Sequence, residues 1–384
     1  MTGRTLGAEL KSRCNNFDFI RLFAAFLVIL SHSYPMVDGD NDAEPLRRIS
    51  GYMTLGELAV SIFFIISGLL VARSFLSDPN PVAYLKKRSL RIFPALWVCV
   101  VFCVLVVGPL FTSDQLRAYA SGHLTVRFLR NAVMWPTYEL TGVFANHPWS
   151  GVVNGSLWSL PFEFAMYLVV LGLGMTRTLT RNGVVTLLGA FLVFHVVCID
   201  PGWWKPHVMG RHAFFFDKIS LFGFLFLAGT ALLMFKERVR LDWRIAAACA
   251  GALVGSCFLP SAWGMMAFCV FLPYIVLYLA FVKAPFLQSV TRYGDFSYGV
   301  YLYAFPVQQM VLHVSMTRNI SLPFSEYVAI SCILTLGLGV LSWFLVEKPM
   351  LRLKKKSLHD ASRDNAACAP APFGVADAQV VGAK

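Results

Sequence analysis

Ten runs of predominantly apolar residues recur along this chain, at about 17–37, 54–76, 92–111, 156–175, 182–200, 218–235, 244–259, 264–282, 296–314 and 327–347. Runs near twenty residues are what a helix needs to cross roughly 30 Å of hydrocarbon, where every backbone N–H and C=O must be paired within the segment. A soluble 384-residue chain with 57% hydrophobic and only 14% charged residues could not hide its apolar side chains. The expected fold is all-α: a polytopic integral membrane bundle of about ten transmembrane helices. The weakest runs are 244–259, short and rich in Ala and Gly, and 218–235, which opens with Asp217 and Lys218 at its edge.

Loop charges then orient the bundle. Arg4, Lys11 and Arg13, then Lys86, Lys87, Arg88 and Arg91, then Lys236, Arg238, Arg240 and Arg244, and finally Lys354, Lys355 and Lys356 fall on one side. The bias of basic loops toward the cytosol places that side inside. The first opposite loop, with Asp38, Asp40, Asp42 and Glu44, is acidic and faces outward. Both termini are then cytosolic. The net charge of +12 belongs to these loops and to anionic membrane lipid, so no nucleic-acid partner is expected. The first run has its basic flank before it and no small-residue cleavage site after it, and reads as a retained span.

Three regions follow: a cytosolic N-terminal segment at 1–16, a membrane domain at 17–349, and a cytosolic basic and disordered tail at 350–384, rich in Ala, Pro, Asn and Asp from Asp360. The longest connection, 112–155, carries Arg117, Arg127 and Arg130 with Trp135, Tyr138 and Trp149, a composition that suits an interfacial helix. Nine cysteines are scattered singly with no Cys-x-x-Cys; Cys99 and Cys103 share a helix face, as small residues in packed spans do. The eight histidines form no ligand cluster, and His207 and His212 in an outward loop lack a third partner. Neither a metal nor a disulfide is expected. No inverted repeat of the transporter kind is visible by inspection.

Chemistry concentrates on a few polar residues inside these runs. Arg21 and His32 are eleven residues apart, about three helical turns plus 20°, so they share a face about 16 Å apart along the axis. Ionisable groups within a span usually face a wet cavity and mark a site, although Arg21 snorkelling to headgroups and His32 capping the span is the plainer alternative. Ser67 and Gly68 stand deep in the second run, where small residues favour close helix packing. Arg88 and Arg91, three apart, either form a fork for phosphate or serve as topology signals. Glu163 lies within an apolar run and needs a partner; His32 or an arginine is the natural candidate, and a carboxylate on the imidazole would orient it. A structural ion pair locking two helices is the alternative. The run from Tyr293 to Pro306, with Tyr298, Tyr301 and Tyr303, reads as an interfacial belt, and Glu347-Lys348-Pro349 as a helix stop with a local charge pair.

Taken in order, these motifs resemble the acyltransferase 3 family of integral membrane acyltransferases. The matching elements are Asp18 with Arg21-x10-His32, the Phe-Phe-x-x-Ser-Gly run at 63–68, Arg88-x-x-Arg91 with Ile92-x-Pro94, Trp158-Ser-Leu-x-x-Glu163 with Tyr167, Ser297-Tyr298 to Leu302, and Val346-Glu-Lys-Pro349. The resemblance implies transfer of an acyl group, usually acetyl, from acetyl-CoA to a sugar hydroxyl of a cell-surface polysaccharide, lipopolysaccharide or glycoconjugate, with no metal. It implies His32 as catalytic base, Arg21 as its motif partner, and Arg88 and Arg91 at the donor. Asp18, Ser67, Trp158, Tyr167, Tyr298 and Tyr301 complete the expected site. Many relatives carry a histidine where Ala304 stands here, which bears on acceptor choice. The expected location is a bacterial cytoplasmic (inner) membrane.

The expected mechanism docks coenzyme A at Arg88 and Arg91, brings its thioester up the bundle, and lets His32, oriented by Glu163, take a proton from the attacking hydroxyl. Arg21, Ser67 or a backbone amide would stabilise the oxyanion. The rival reading is a proton-coupled transporter with His32, Glu163 and Arg21 as a relay. His32 lies fifteen residues beyond Phe17, so it sits about 22 Å from the cytosolic end of an untilted helix. A cysteine at position 32 should therefore react with reagent from outside; reaction only from the cytosol would exclude this acceptor geometry.

Overall fold

The computed structural model describes residues 4–12, 14–199 and 213–353. Arg13, the expected outward loop with His207 and His212, and the expected tail with Lys354, Lys355 and Lys356 lie outside the described residues. Among the described residues every apolar run carries a helix. These are α1 (Phe17–Asp38), α2 (Leu55–Ser77), α3 (Pro81–Phe111), α4 (Gly155–Met175), α5 (Arg181–Ile199), α6 (Phe214–Met234), α7 (Trp243–Ser256), α8 (Ser261–Ala280), α9 (Ser297–Thr317) and α10 (Phe324–Arg352). Seven, α1 to α4, α6, α8 and α10, are long and apolar enough to cross a membrane. Helices α5 and α7 are shorter, and α9 is polar for a span, with three tyrosines and two glutamines along a largely buried length.

Two helices begin earlier than hydrophobicity alone indicates. The Asn80 side chain accepts the Ala83 N–H and Pro81 opens the first turn, so α3 starts there and carries Arg88 and Arg91 inside the helix instead of at its mouth. Similarly, α6 already runs at Phe214, which moves Lys218 from the edge of a span to a position a turn inside it. At the start of α2, Thr54 and Glu57 form a reciprocal capping box, with both bonds at 3.1 Å. Helices α3 and α10 each contain one π-helical stretch, Cys103–Val107 and Trp343–Glu347. Such stretches locally change which way side chains point, and the second carries Glu347.

Close helix packing at Gly68 is what the structure shows. A Cβ on Gly68 would stand 1.9 Å from the Phe226 carbonyl oxygen, and one on Gly229 would stand 2.1 Å from that of Ile65. Helices α2 and α6 thus touch backbone to backbone, tied by Thr230 Oγ1 donating to the Gly68 carbonyl at 3.0 Å. Neither contact has a flexible side chain that could yield. Gly68→Ala should therefore destabilise the bundle by about 1–3 kcal/mol, read as a lower unfolding temperature; an unchanged transition would mean the two helices part without cost.

Strand β1 (Arg4–Thr5) pairs antiparallel with β2 (Arg240–Leu241), placing the basic N-terminal segment and the basic segment before α7 on one face of the bundle. At the other end, the 112–154 connection folds as short helices, Leu116–Ser121 and His123–Phe128, instead of one interfacial helix. Extended backbone at Gly122 divides them, and bridges Thr112 to Val143 and Glu139 to Val152 pin the segment down. Leu116, Val126, Val133 and Trp135 remain exposed on it. Cys99, Cys103, Cys249, Cys257, Cys269 and Cys332 are free thiols, but Cys14 is disulfide-bonded, against expectation. A bridge depends on Cα separation in space, which spacing along the chain does not report.

Candidate active site

The polar seam along α1 has two tiers. In the tier nearer the basic face, Asp295 stands in the turn before α9 and accepts Arg21 Nη1 at 2.6 Å and Arg91 Nη2 at 2.5 Å on one oxygen. Its other oxygen takes the Ser297 backbone N–H at 3.2 Å and the Ser297 hydroxyl. Arg91 Nη1 reaches Glu347 at 3.2 Å, and Ser342 donates to the other Glu347 oxygen at 3.1 Å. Two guanidiniums and two carboxylates balance in a region where none of these side chains is more than 17% exposed. Burial alone would push the Asp295 carboxyl up, but Arg21 and Arg91, helped by Ser297, hold it below the ordinary carboxylate range. Asp18, exposed in the first turn of α1, lies within electrostatic reach of Arg21, Arg91 and Asp295.

Several expected pairings are corrected here. Glu347 pairs with Arg91 and not with its neighbour Lys348, whose ammonium lies over the Phe344 ring at 5.0 Å. Among the described residues Glu163 bonds to neither His32 nor an arginine. One of its oxygens accepts both the Ser67 hydroxyl at 2.8 Å and the Tyr167 hydroxyl at 2.6 Å. Tyr167 is one turn further along α4, and Ser67 faces it from α2, so local geometry supplies the partners that a histidine three turns above Arg21 cannot. No direct hydrogen bond joins Glu163 to His32. Arg88 and Arg91 do not make a fork of two free guanidiniums, because Arg91 is held by protein carboxylates. Arg88 has no carboxylate partner among the described residues; it lies over the Tyr167 ring at 5.8 Å and its buried Nε is unpaired.

The tyrosines of α9 are no interfacial belt. Tyr298, Tyr301 and Tyr303 are all buried. Tyr298 donates to the Ile92 carbonyl at 2.9 Å while its ring faces Arg91 at 5.6 Å. Tyr301 meets the Ser159 hydroxyl at 2.6 Å and donates to the Ser156 carbonyl at 2.9 Å. Arg21, Glu163, Tyr298 and Tyr301 together line a narrow cavity of about 30 Å³. Ala304 is fully buried in an apolar cluster that also holds Ala25 and Ile29 of α1, so a histidine here would have to displace packed side chains.

The tier further from the basic face is a wider cavity of about 420 Å³. His32 forms part of its wall, with Trp149 and Phe305 edge-on to the imidazole at 5.9 and 5.4 Å and the buried Nδ1 unpaired. Trp158, Tyr138, Glu57 and Lys218 line the same space. Val60 and Tyr301 line both cavities, which are therefore neighbours along α1. Gln309 fixes the covering loop by donating to the Trp149 and Val152 carbonyls at 3.1 and 2.8 Å. Its Oε1 takes a hydrogen bond from His147 at 2.7 Å, and His147 meets His313 at 3.1 Å.

Asp295, Glu347, Trp149, Glu57 and Lys218 are site residues that the sequence reading did not select. An aspartate directly before an apolar run is the signal the sequence offers for Asp295. Among the described residues no group of three or more His, Cys, Asp or Glu is placed to hold a metal ion.

A helical bundle with seven membrane-length apolar helices, and with an ionic network and a cavity lined by several of them, is an integral membrane protein. Residues 15–344 match the family model of acyltransferase 3, described as an acyltransferase domain, and the chain belongs to that family. It is similar to an O-acetyl transferase of Shigella phage Sf6, 28% identical over 354 residues that cover 89% of this chain and 96% of the relative. It is also similar to nodulation protein 10 of Rhizobium leguminosarum bv. viciae, 29% identical over 371 residues, 88% of this chain and 94% of the relative. No solved structure matches the chain. The protein is an O-acyltransferase of the membrane.

Proposed function

We propose that the protein moves an acetyl group from acetyl-CoA, bound from the cytosolic side, to a sugar hydroxyl of a cell-surface polysaccharide, lipopolysaccharide or lipid-linked glycoconjugate, and that it does so in a bacterial cytoplasmic membrane. The observation that carries this reading is the pair of neighbouring cavities along α1, one walled by Arg21 and the other by His32. Arg88 lines neither cavity, so a long, thin donor held there would have to widen the narrow cavity of about 30 Å³ as it extends past Arg21 toward the imidazole. Arg88, with an unpaired buried Nε and no carboxylate, suits a donor phosphate. Arg91 acts through Asp295, positioning Arg21 beside that route.

In the transfer step His32 takes the proton of the sugar hydroxyl as its oxygen bonds to the thioester carbonyl carbon. The carbon–sulfur bond then breaks, and the departing thiolate receives the proton from the imidazolium. Arg21 lies about three helical turns, roughly 16 Å, below His32 and is too distant to stabilise an oxyanion formed there. Its place is on the donor's path.

Label transfer from radiolabelled acetyl-CoA into glycan, in inverted membrane vesicles at matched expression, tests the reading. Transfer should depend on His32; no transfer by the wild-type protein, with a full set of acceptors and verified folding, would overturn it. The two arginines should separate in the same assay. Arg88→Ala should raise the KM for acetyl-CoA about tenfold with an unfolding temperature near that of wild type, since a charge-assisted bond is worth about 1.5–3 kcal/mol. Arg91→Ala should chiefly lower the unfolding temperature, and equal behaviour of the two variants would contradict their division of labour.

A further inference from the structure

We propose that the cavity before His32 is a subsite for an uncharged sugar ring, read by Glu57 and Lys218, and that it rejects sugars bearing a carboxylate or phosphate. This rests on the acyl-transfer reading above and adds the class of acceptor.

Glu57 comes from the first turn of α2 and Lys218 from α6, and both line the cavity that His32 lines. Lys218 Nζ donates to Glu57 Oε1 at 2.6 Å and lies 3.0 Å from Asp217 Oδ2. The other Glu57 oxygen accepts the Thr54 N–H of the capping box at 3.1 Å. A carboxylate offers about four acceptor positions and an ammonium three donors. Glu57 thus keeps acceptor capacity for sugar hydroxyls, and Lys218 keeps one donor for a hydroxyl or ring oxygen. Among the described residues Glu57 and Lys218 cancel each other on the wall, and Asp217, which does not line the cavity but lies 3.0 Å from Lys218 Nζ, gives this three-residue cluster one net negative charge, which favours hydroxyl donors and disfavours anions.

The remaining walls supply the other half of sugar recognition. Trp149 and Trp158 line a cavity of about 420 Å³ that matches a small ligand, and supply aromatic surface of the kind that packs on the C–H face of a pyranose. Trp149 also touches the His32 ring, so a sugar stacked on it brings a hydroxyl toward the imidazole.

The test uses the full chain in nanodiscs, with octyl glucoside as the neutral probe and octyl glucuronide as its anionic counterpart. Binding of each radiolabelled glycoside is measured first without donor, then acetyl transfer is measured with acetyl-CoA. The neutral probe should bind at least tenfold more tightly than the glucuronide. Glu57→Gln, which can retain the capping box, should weaken neutral binding about tenfold and narrow the discrimination. In transfer, the same change should raise the KM for octyl glucoside with kcat changed less than threefold. Selective binding with no acetyl transfer would uphold the subsite and overturn the donor reading. Equal binding of both probes, binding of neither, or no effect of Glu57→Gln would overturn the subsite.

Discussion

Asp295→Asn is expected to cost about 3–5 kcal/mol of stability, a larger loss than any other single change in the polar seam. One Asp295 oxygen holds both Arg21 and Arg91, and all three side chains are largely buried. The amide keeps the shape and the bond to the Ser297 N–H but removes the charge, leaving two enclosed guanidiniums opposed by Glu347 and, without a direct bond, by Asp18. Removing one partner from a buried pair is costly because the remaining charge cannot return to water. Thermal unfolding in detergent reads the effect, and a transition within about two degrees of wild type would show that the network contributes little. Replacing Arg91 by Met in the same protein should recover part of the loss, since the surplus charge goes with it. The pH dependence has a defined sign. Asp295 is held below the ordinary carboxylate range, so its contribution is complete above about pH 4, near the unfolded value, and is lost as pH falls further through the folded value.

His32→Ala should show the opposite pattern, with catalysis lost and the fold kept. A positioned general base contributes about 10²–10⁴-fold, so label transfer from acetyl-CoA should fall by that factor. The stability cost is small, because the imidazole contributes two edge-on aromatic contacts worth about 0.5–1.5 kcal/mol each at most. His32→Gln separates the two functions, since glutamine fills space and forms hydrogen bonds but cannot take the proton. Either variant retaining more than about a tenth of wild-type transfer would remove His32 from the base role. Comparison with Asp295→Asn at matched expression keeps unfolding apart from loss of chemistry.

The sequence by itself determined the helices and the seam. Apolar runs locate helices because lipid leaves the backbone no alternative partner, and the 3.6-residue period places Arg21 and His32 on one face whatever packs around them. The close approach at Gly68 was equally readable, since small residues in apolar runs have few other uses. Helix starts were less so, because α3 and α6 begin in residues whose polarity hides them from a hydropathy reading. Only the tertiary structure decided which charges meet. Asp295 reaches Arg21 across 274 positions, and Lys218 reaches Glu57 across 161. Glu163 instead found a hydroxyl one turn away and another on α2. The reason is that a buried ionic or hydroxyl group is satisfied by any complementary neighbour at hydrogen-bond distance. Which neighbour that is depends on helix packing, and the local pattern around each residue carries no record of it.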